Sequence, residues 1–92
     1  MAAMTMTRAN ARTLNEPVTV PAKRFGFFPQ IFVWRGQRVD VRAVEACRTE
    51  VRHDWRGRVE CHRFRVRTAN AVFELTQDPV RDTWKVDKLW SG

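Results

Sequence analysis

The sequence predicts an all-β fold, a small five- to six-stranded SH3-like or otherwise curled antiparallel barrel preceded by a disordered N-terminal tail. Three observations lead there. Apolar and polar residues alternate in short runs, as in Phe64-Arg65-Val66 and Phe73-Glu74-Leu75, the two-residue period of a half-buried strand. Turn-forming residues punctuate these runs at Gly36, Asn70 and Pro79. Large rings are frequent, with 4 Trp and 6 Phe, so a small interior can be filled without disulfides or metal.

A chain of 92 residues makes one domain. At this size only about 60–65% of the unfolded surface is buried, so the core is modest. Residues 1–15 hold Met, Ala, Thr, Asn and Arg but no aromatic ring and are expected to form the disordered tail, leaving 16–92 as the barrel-like domain. No apolar run approaches the ~20 residues of a membrane span, which argues for a soluble protein without membrane contact. Cys47 and Cys61 are too few for a disulfide framework, so a reducing cytoplasm is expected, with a lone Cys47–Cys61 bridge as the alternative to two free thiols. The formal charge of +7, from 14 Arg and 3 Lys against 10 acids, favours a polyanionic partner, DNA or RNA.

Taken in order, Glu16 to Pro21 sets Val18 and Val20 between prolines, which suits a short edge strand where no ladder donor is needed. Phe25, Phe27 and Phe28 form an aromatic loop expected to plug one end of the barrel. The run from Phe32 to Val41 reads as a hairpin about a type II′ turn at Gly36-Gln37. That register sets Trp34 opposite Val39, Phe32 opposite Val41 and Arg35 directly opposite Arg38. Two like charges across a ladder either splay into water or hold a small anion at the turn, with Arg35 and Arg38 as its ligands. Val41, Val44, Cys47 and Val51 fit helical spacing, but the β-branched residues before them favour a strand that bends near Ala43-Val44 and ends about Arg48. Thr49 to Arg58 then reads as an irregular excursion.

The next hairpin is the clearest local inference. With Ala69-Asn70 as the turn, Val66 meets Phe73 and Phe64 meets Leu75 on one face. On the other, Arg63 lies opposite Thr76, Arg65 opposite Glu74 and Arg67 opposite Val72. In the last strand Trp84 and Val86 point inward, Lys85 and Asp87 outward, and Leu89 and Trp90 are expected to close the bottom of the core.

Several of these residues together resemble a small uncharacterised bacterial domain family. Its pattern is an opening F-x-W-R-G, then a W/F-R-V strand, a V-F-D/E-L strand and a final W-R/K-L/V strand. Here these are Phe32-Val33-Trp34-Arg35-Gly36, Phe64-Arg65-Val66, Val72-Phe73-Glu74-Leu75 and Trp84-Lys85-Val86, and the resemblance spans about Glu16 to Trp90. The family resembles a domain found free-standing, mainly in actinobacteria, and as the C-terminal extension of proteins related to Y-family translesion DNA polymerases. What this implies, by analogy, is a link to DNA repair or to repair-protein assembly. It brings no catalytic residues, and the tryptophan pair usual in the excursion is reduced here to Trp55.

Chemistry-bearing clusters are sparse. Cys47, His53, Cys61 and His62 are zinc-ligand types, but they lack a Cys-x-x-Cys knuckle, and the adjacent Cys61 and His62 face opposite ways on a strand. Cys47, His53 and Asp54 offer the residue types of nucleophilic catalysis, yet adjacent His and Asp seldom aim at one point, and no glycine-rich phosphate loop is present. The expectation is therefore a protein without enzymatic activity, metal, cofactor or small-molecule substrate. The remaining signal is basic: Arg38 and Arg42 on one strand and Arg63, Arg65 and Arg67 on another form a stripe suited to a phosphate backbone, with Trp55 as a stacking residue. A solvated, salt-bridged surface is the competing reading, because Glu74 and Asp40 lie close to Arg65 and Arg38. The alternative function is a protein-interaction module in a repair assembly, anchored by Phe25 to Phe28 or by Leu89-Trp90.

Overall fold

The structure, a computed structural model, describes residues 11–91. Its elements are the strands β1 (Arg12–Arg24), β2 (Phe28–Trp34), β3 (Gln37–Asp40), β4 (Ala43–Asp54), β5 (Gly57–Arg67), β6 (Ala71–Asp78) and β7 (Thr83–Ser91). All pairings are antiparallel, and the seven strands form one sheet in the order β3-β2-β1-β7-β6-β5-β4. The all-β class follows the two-residue alternation of the sequence. The expected barrel, however, does not close, and the described residues form seven strands rather than five or six.

Curling comes from β1, which changes partner along its length. Its first half pairs with β7, as in Val18↔Trp84, and its second half with β2, as in Lys23↔Pro29. The register slips between Thr13 and Glu16 and again between Thr19 and Ala22. Asn15, with φ of 52°, sits in the first slip, where a left-handed residue accommodates a bulge. Pro21 sits in the second, where no ladder donor is demanded of it. The segment read as a short edge strand is thus a long strand inside the sheet; Pro21 is tolerated because the ladder is interrupted beside it, whereas Pro17 stands in register opposite Lys85. The strand also starts at Arg12, so the tail boundary at residue 15 moves back; residues 1–10 of that tail lie outside the described residues.

The curl brings β2 over β6. Phe32, fully buried, meets Phe73 with ring centroids 5.1 Å apart, and Trp34 meets the same ring at 5.4 Å. Phe64, Val66, Leu75 and Val86 lie at the centre, wholly shielded from solvent. Phe27 and Phe28 cap one end against Phe64, Phe27 edge-on at 5.2 Å, as expected of the aromatic loop. Phe25 departs from that expectation: at φ of 56° it turns outward and is 87% exposed.

The β5–β6 register is the one read from the sequence, pair for pair from Arg63↔Thr76 to Arg67↔Val72. The β2–β3 register is not. Trp34 pairs with Gln37 and Phe32 with Val39, so the two-residue loop is Arg35-Gly36. Both have positive φ, 53° and 75°, the signature of a type I′ turn, whose twist suits a hairpin. The slip removes the Arg35–Arg38 juxtaposition, since Arg38 now faces Val33.

From β3 the chain turns a corner at Val41-Arg42, held by Val41 N–H to the Gln30 carbonyl (2.9 Å) and Arg42 N–H to the Arg67 carbonyl (2.7 Å). A further slip between Val44 and Ala46 marks the bend expected near Ala43-Val44. Instead of ending near Arg48, β4 runs on to Asp54, and the segment read as irregular is the far half of a β4–β5 ribbon. Beyond Thr49↔His62 this ribbon has no third strand among the described residues, because β5 meets β6 only from His62 onward. At its tip the Asp54 carboxylate accepts from the Arg56 backbone N–H (2.8 Å) and guanidinium (3.0 Å). Trp90 also departs from expectation: opposite Val72 it lies on the outer face, shielded in part by the Arg65 guanidinium 5.2 Å from its ring.

Truncating Phe64 to Ala removes the ring that Phe27, Phe28 and Trp84 all touch, and should lower stability by about 3–5 kcal/mol in urea denaturation. Phe25→Ala, at an exposed ring, should change it by no more than about 0.5 kcal/mol.

Candidate nucleic-acid interface

Parity delivers Arg63, Arg65 and Arg67 to the outer face of β5, as the sequence required. What they meet there differs from an open phosphate-binding stripe. Arg63 donates through Nη1 to Glu74 Oε1 (3.3 Å) and Asp87 Oδ2 (3.2 Å), and through Nη2 to Glu50 Oε1 (3.0 Å). Its side chain is only 26% exposed. Burial pulls its pKa down, but the Glu50 hydrogen bond and the surrounding carboxylates outweigh that, and the net shift is upward. The Arg63 guanidinium in turn holds the Glu50 carboxyl below its ordinary range. Thr76 donates its hydroxyl to Asp87, and Glu74 and Thr76 are buried beneath the cluster. Arg63 therefore stitches β4, β5, β6 and β7 together.

Arg65 lies over Trp90, and its Nε, like that of Arg63, is buried without a partner. Arg67 is half-exposed, its Nε 3.6 Å from Glu45. On the other hairpin Arg38 folds onto Asp40 at 3.1 Å with both groups well exposed. Arg35 grips both oxygens of Glu16, at 2.9 and 2.6 Å, while its guanidinium stacks 4.6 Å from the Trp34 ring. The Trp34 indole N–H donates to the same carboxylate at 2.9 Å. Arg35 and Arg38 consequently work at separate places, and the anion site imagined from their juxtaposition has no common centre in this register.

At the β3–β4 corner Arg24 and Arg42 make no ion pair with a described acid, as is also true of Arg52 and Arg81 elsewhere, while Arg38 and Arg67 are paired. Two clefts flank the corner. One, of about 480 Å³, is lined by Arg24, Phe25, Phe28, Val41, Arg42 and Cys47 among others. The second, of about 520 Å³, is lined by Gln37, Arg38, Arg42, Thr68, Asn70 and their neighbours. Arg42 borders both, is exposed, and has no carboxylate partner among the described residues; Arg24, on the first cleft alone, is likewise exposed and without one. Arg67 is tied to the corner through its backbone bond with Arg42. Three of the five arginines chosen from sequence, Arg38, Arg42 and Arg67, thus gather here, while Arg63 and Arg65 stand apart in the sheet's outer face. Trp55 is at the tip of the ribbon, 91% exposed, with the Arg56 guanidinium 5.6 Å from its ring. Arg24 was missed in the sequence, although its position beside the aromatic loop was the available signal.

No three His, Cys, Asp or Glu side chains converge as metal ligands among the described residues. Cys47 and Cys61 are free thiols, not the bridge held open as an alternative: Cys47 pairs with Phe64 and Cys61 with Glu50, at opposite faces of the ribbon. Burial pushes the Cys47 thiol pKa up, away from nucleophilic character.

A family model described as a domain of unknown function (DUF6504) matches residues 4–91. The chain belongs to this DUF6504 family. No curated protein and no solved structure matches it. DUF6504 membership agrees with the uncharacterised family expected from the motifs, and the core positions Phe32, Phe64, Val66, Phe73, Leu75, Trp84 and Val86 that carry those motifs are the buried ones.

Two predictions follow from the ion pairs. The Arg35 and Trp34 hydrogen bonds hold the Glu16 carboxyl from its ordinary 4.5 down to about 2. Its contribution to stability is therefore complete above pH 4.5 and is lost as pH falls toward 2. A carboxyl NMR titration should give Glu16 a midpoint near 2, and Glu16→Gln should flatten the acid limb of the stability curve across that window. Arg63→Met should destabilise by roughly 2 kcal/mol in urea denaturation, because it leaves three carboxylates facing one another with their cation removed; partial exposure keeps this below the value for a fully buried pair.

Proposed function

We propose that this DUF6504 domain is a non-enzymatic module that binds nucleic acid at the β3–β4 corner, with Arg42 as the central phosphate contact and Arg24, Arg38 and Arg67 around it. The observation that supports this reading is the position of Arg42, an exposed arginine that makes no ion pair with a described acid, on the rim of two clefts whose acids, Glu45 and Asp40, are paired with Arg67 and Arg38. A guanidinium in that setting offers its donors to a phosphate without first breaking an ion pair. Asn70, Gln37 and Thr68 line the same cleft and supply neutral hydrogen-bonding groups for sugar or phosphate oxygens. Relative to the stripe read from sequence, Arg63 and Arg65 become structural. The motif resemblance to a C-terminal extension of Y-family polymerase relatives, and to free-standing actinobacterial proteins, makes DNA repair in the bacterial cytoplasm the natural setting.

A second reading, a protein-interaction module, draws on the exposure of Phe25 and Trp55. The other anchors suggested for it, Leu89 and Trp90, are buried in the described fold.

Fluorescence anisotropy with labelled single- and double-stranded DNA and RNA across a salt series tests the first reading. Affinity should fall steeply with salt, and Arg38→Ser with Arg42→Ser should lower both affinity and the salt slope, by about one unit of slope per contact. Arg63→Ser should alter stability and leave the slope alone. Binding unchanged by the corner pair, or absent at low salt, overturns the reading.

A further inference from the structure

The strand β4 is 12 residues long and, among the described residues, has a ladder partner only in β5. Its outer edge presents a row of main-chain donors and acceptors, the template to which another extended strand adds. We propose that the occupant is a second copy of this chain: β4 pairs antiparallel with the partner's β4 about a twofold axis at Thr49, and Trp55 at each tip seats in the other copy's cleft beside Ala43.

Charge separates that axis from its immediate neighbours; an axis at residue 51, which would set Glu50 against Arg52, is separated from it by the Thr49→Cys crosslink below. With Thr49 on its own counterpart, Arg48 faces Glu50 of the partner subunit twice over, and Cys47 faces Val51 of the partner subunit twice over. Between residues 46 and 52 like faces stay on the same side of the joined sheet, because paired residues share parity; the slip between Val44 and Ala46 reverses that parity beyond it. Moving the axis to residue 48 sets Arg48 against itself. Moving it to residue 50 sets Glu50 against itself and Arg48 against Arg52. Like charges directly opposite are destabilising, so the neighbouring same-face registers are rejected by the sequence of β4 itself.

Two further features fit the same axis. Val51 is 43% exposed on the inward face of the ribbon, and pairing with Cys47 of the partner subunit covers both. Trp55 is 91% exposed, and the axis brings it level with Ala43 of the partner subunit, which lines the cleft of about 480 Å³ at the unclosed seam. The floor there, Phe28, Pro29, Val41 and Val44, is apolar, and Arg24 and Arg42 on its rim are suited to stack on an indole. The seam that one chain leaves open is thereby filled by the tip of the other, in an isologous interface. The proposal shares the cleft and its rim arginines Arg24 and Arg42 with the nucleic-acid reading but rests on the open edge of β4, and its test contains no nucleic acid, so the two fail separately.

The test uses the full chain without nucleic acid. In a Cys47→Ser, Cys61→Ser background, Thr49→Cys places two thiols on the axis. Facing Cα atoms in an antiparallel pair lie about 4.5–5.5 Å apart, inside the disulfide window. Mild oxidation should link Thr49→Cys into a covalent dimer at least ten times faster than Arg52→Cys, an exposed control on the same strand. Sedimentation velocity of the unmodified chain should show a concentration-dependent dimer, with its dissociation constant raised at least tenfold by Trp55→Ala and by Arg48→Glu while the circular dichroism spectrum is unchanged. A chain that stays monomeric at high concentration, equal crosslinking at the two positions, or a dimer indifferent to Trp55→Ala and Arg48→Glu overturns the proposal.

Discussion

Everything in this fold depends on the two-residue alternation along β5 and β6. Phe64, Val66, Phe73 and Leu75 fill the centre of a small core, and a slip of one residue would turn all four toward solvent. Burying those side chains, at about 1.5–3 kcal/mol each, outweighs any local preference the chain could express in another register. The same parity drives Arg63, Arg65 and Arg67 outward. Once outward, Arg63 finds carboxylates on β4, β6 and β7. Core packing and the outer charge cluster are thus two consequences of one alternation, and the second locks the register chosen by the first.

The sheet's failure to close is the second organising fact. β1 serves both halves by switching from β7 to β2 midway, and the β3–β4 corner passes the chain from one half to the other. Between the corner and the start of β2 a seam remains, flanked by the clefts that Arg24, Arg38 and Arg42 border. Interior charges are neutralised across neighbouring strands. At the seam there are fewer neighbouring strands, and cations are left over. Part of the basic surplus, Arg24 and Arg42, thus stands where sheet geometry runs out of partners, with Arg52 and Arg81 unpaired elsewhere among the described residues.

The sequence made the β5–β6 hairpin fully legible because both faces agreed: an apolar pair inside and Arg65 against Glu74 outside leave one register. The Phe32–Val41 hairpin offered no such agreement. Gly36 could serve as the first or second loop residue, and the native choice requires Arg35 at positive φ, which an arginine adopts at some cost. Glu16 and Trp34 hold it there, and Glu16 is 19 residues away in sequence, beyond any local pattern. β1 was underestimated for a related reason, since its prolines signal an edge and the bulge that accommodates Pro21 inside the sheet is set by long-range pairing. Arg38, Arg42 and Arg67 were readable as outward-facing. That Arg63 and Arg65 would be taken up by Glu50, Glu74, Asp87 and Trp90 depends on cross-strand neighbours that periodicity alone does not specify.

The account divides the arginines into those that hold the sheet and those left at its seam, and side-chain ¹⁵N NMR addresses that division directly. A guanidinium bonded to three carboxylates rotates slowly about its terminal C–N bonds, whereas one in water averages its Nη signals. The account requires resolved, slowly exchanging Nη resonances for Arg63 and averaged ones for Arg42 in the free protein. Equally rapid averaging for Arg63 and Arg42 would contradict it.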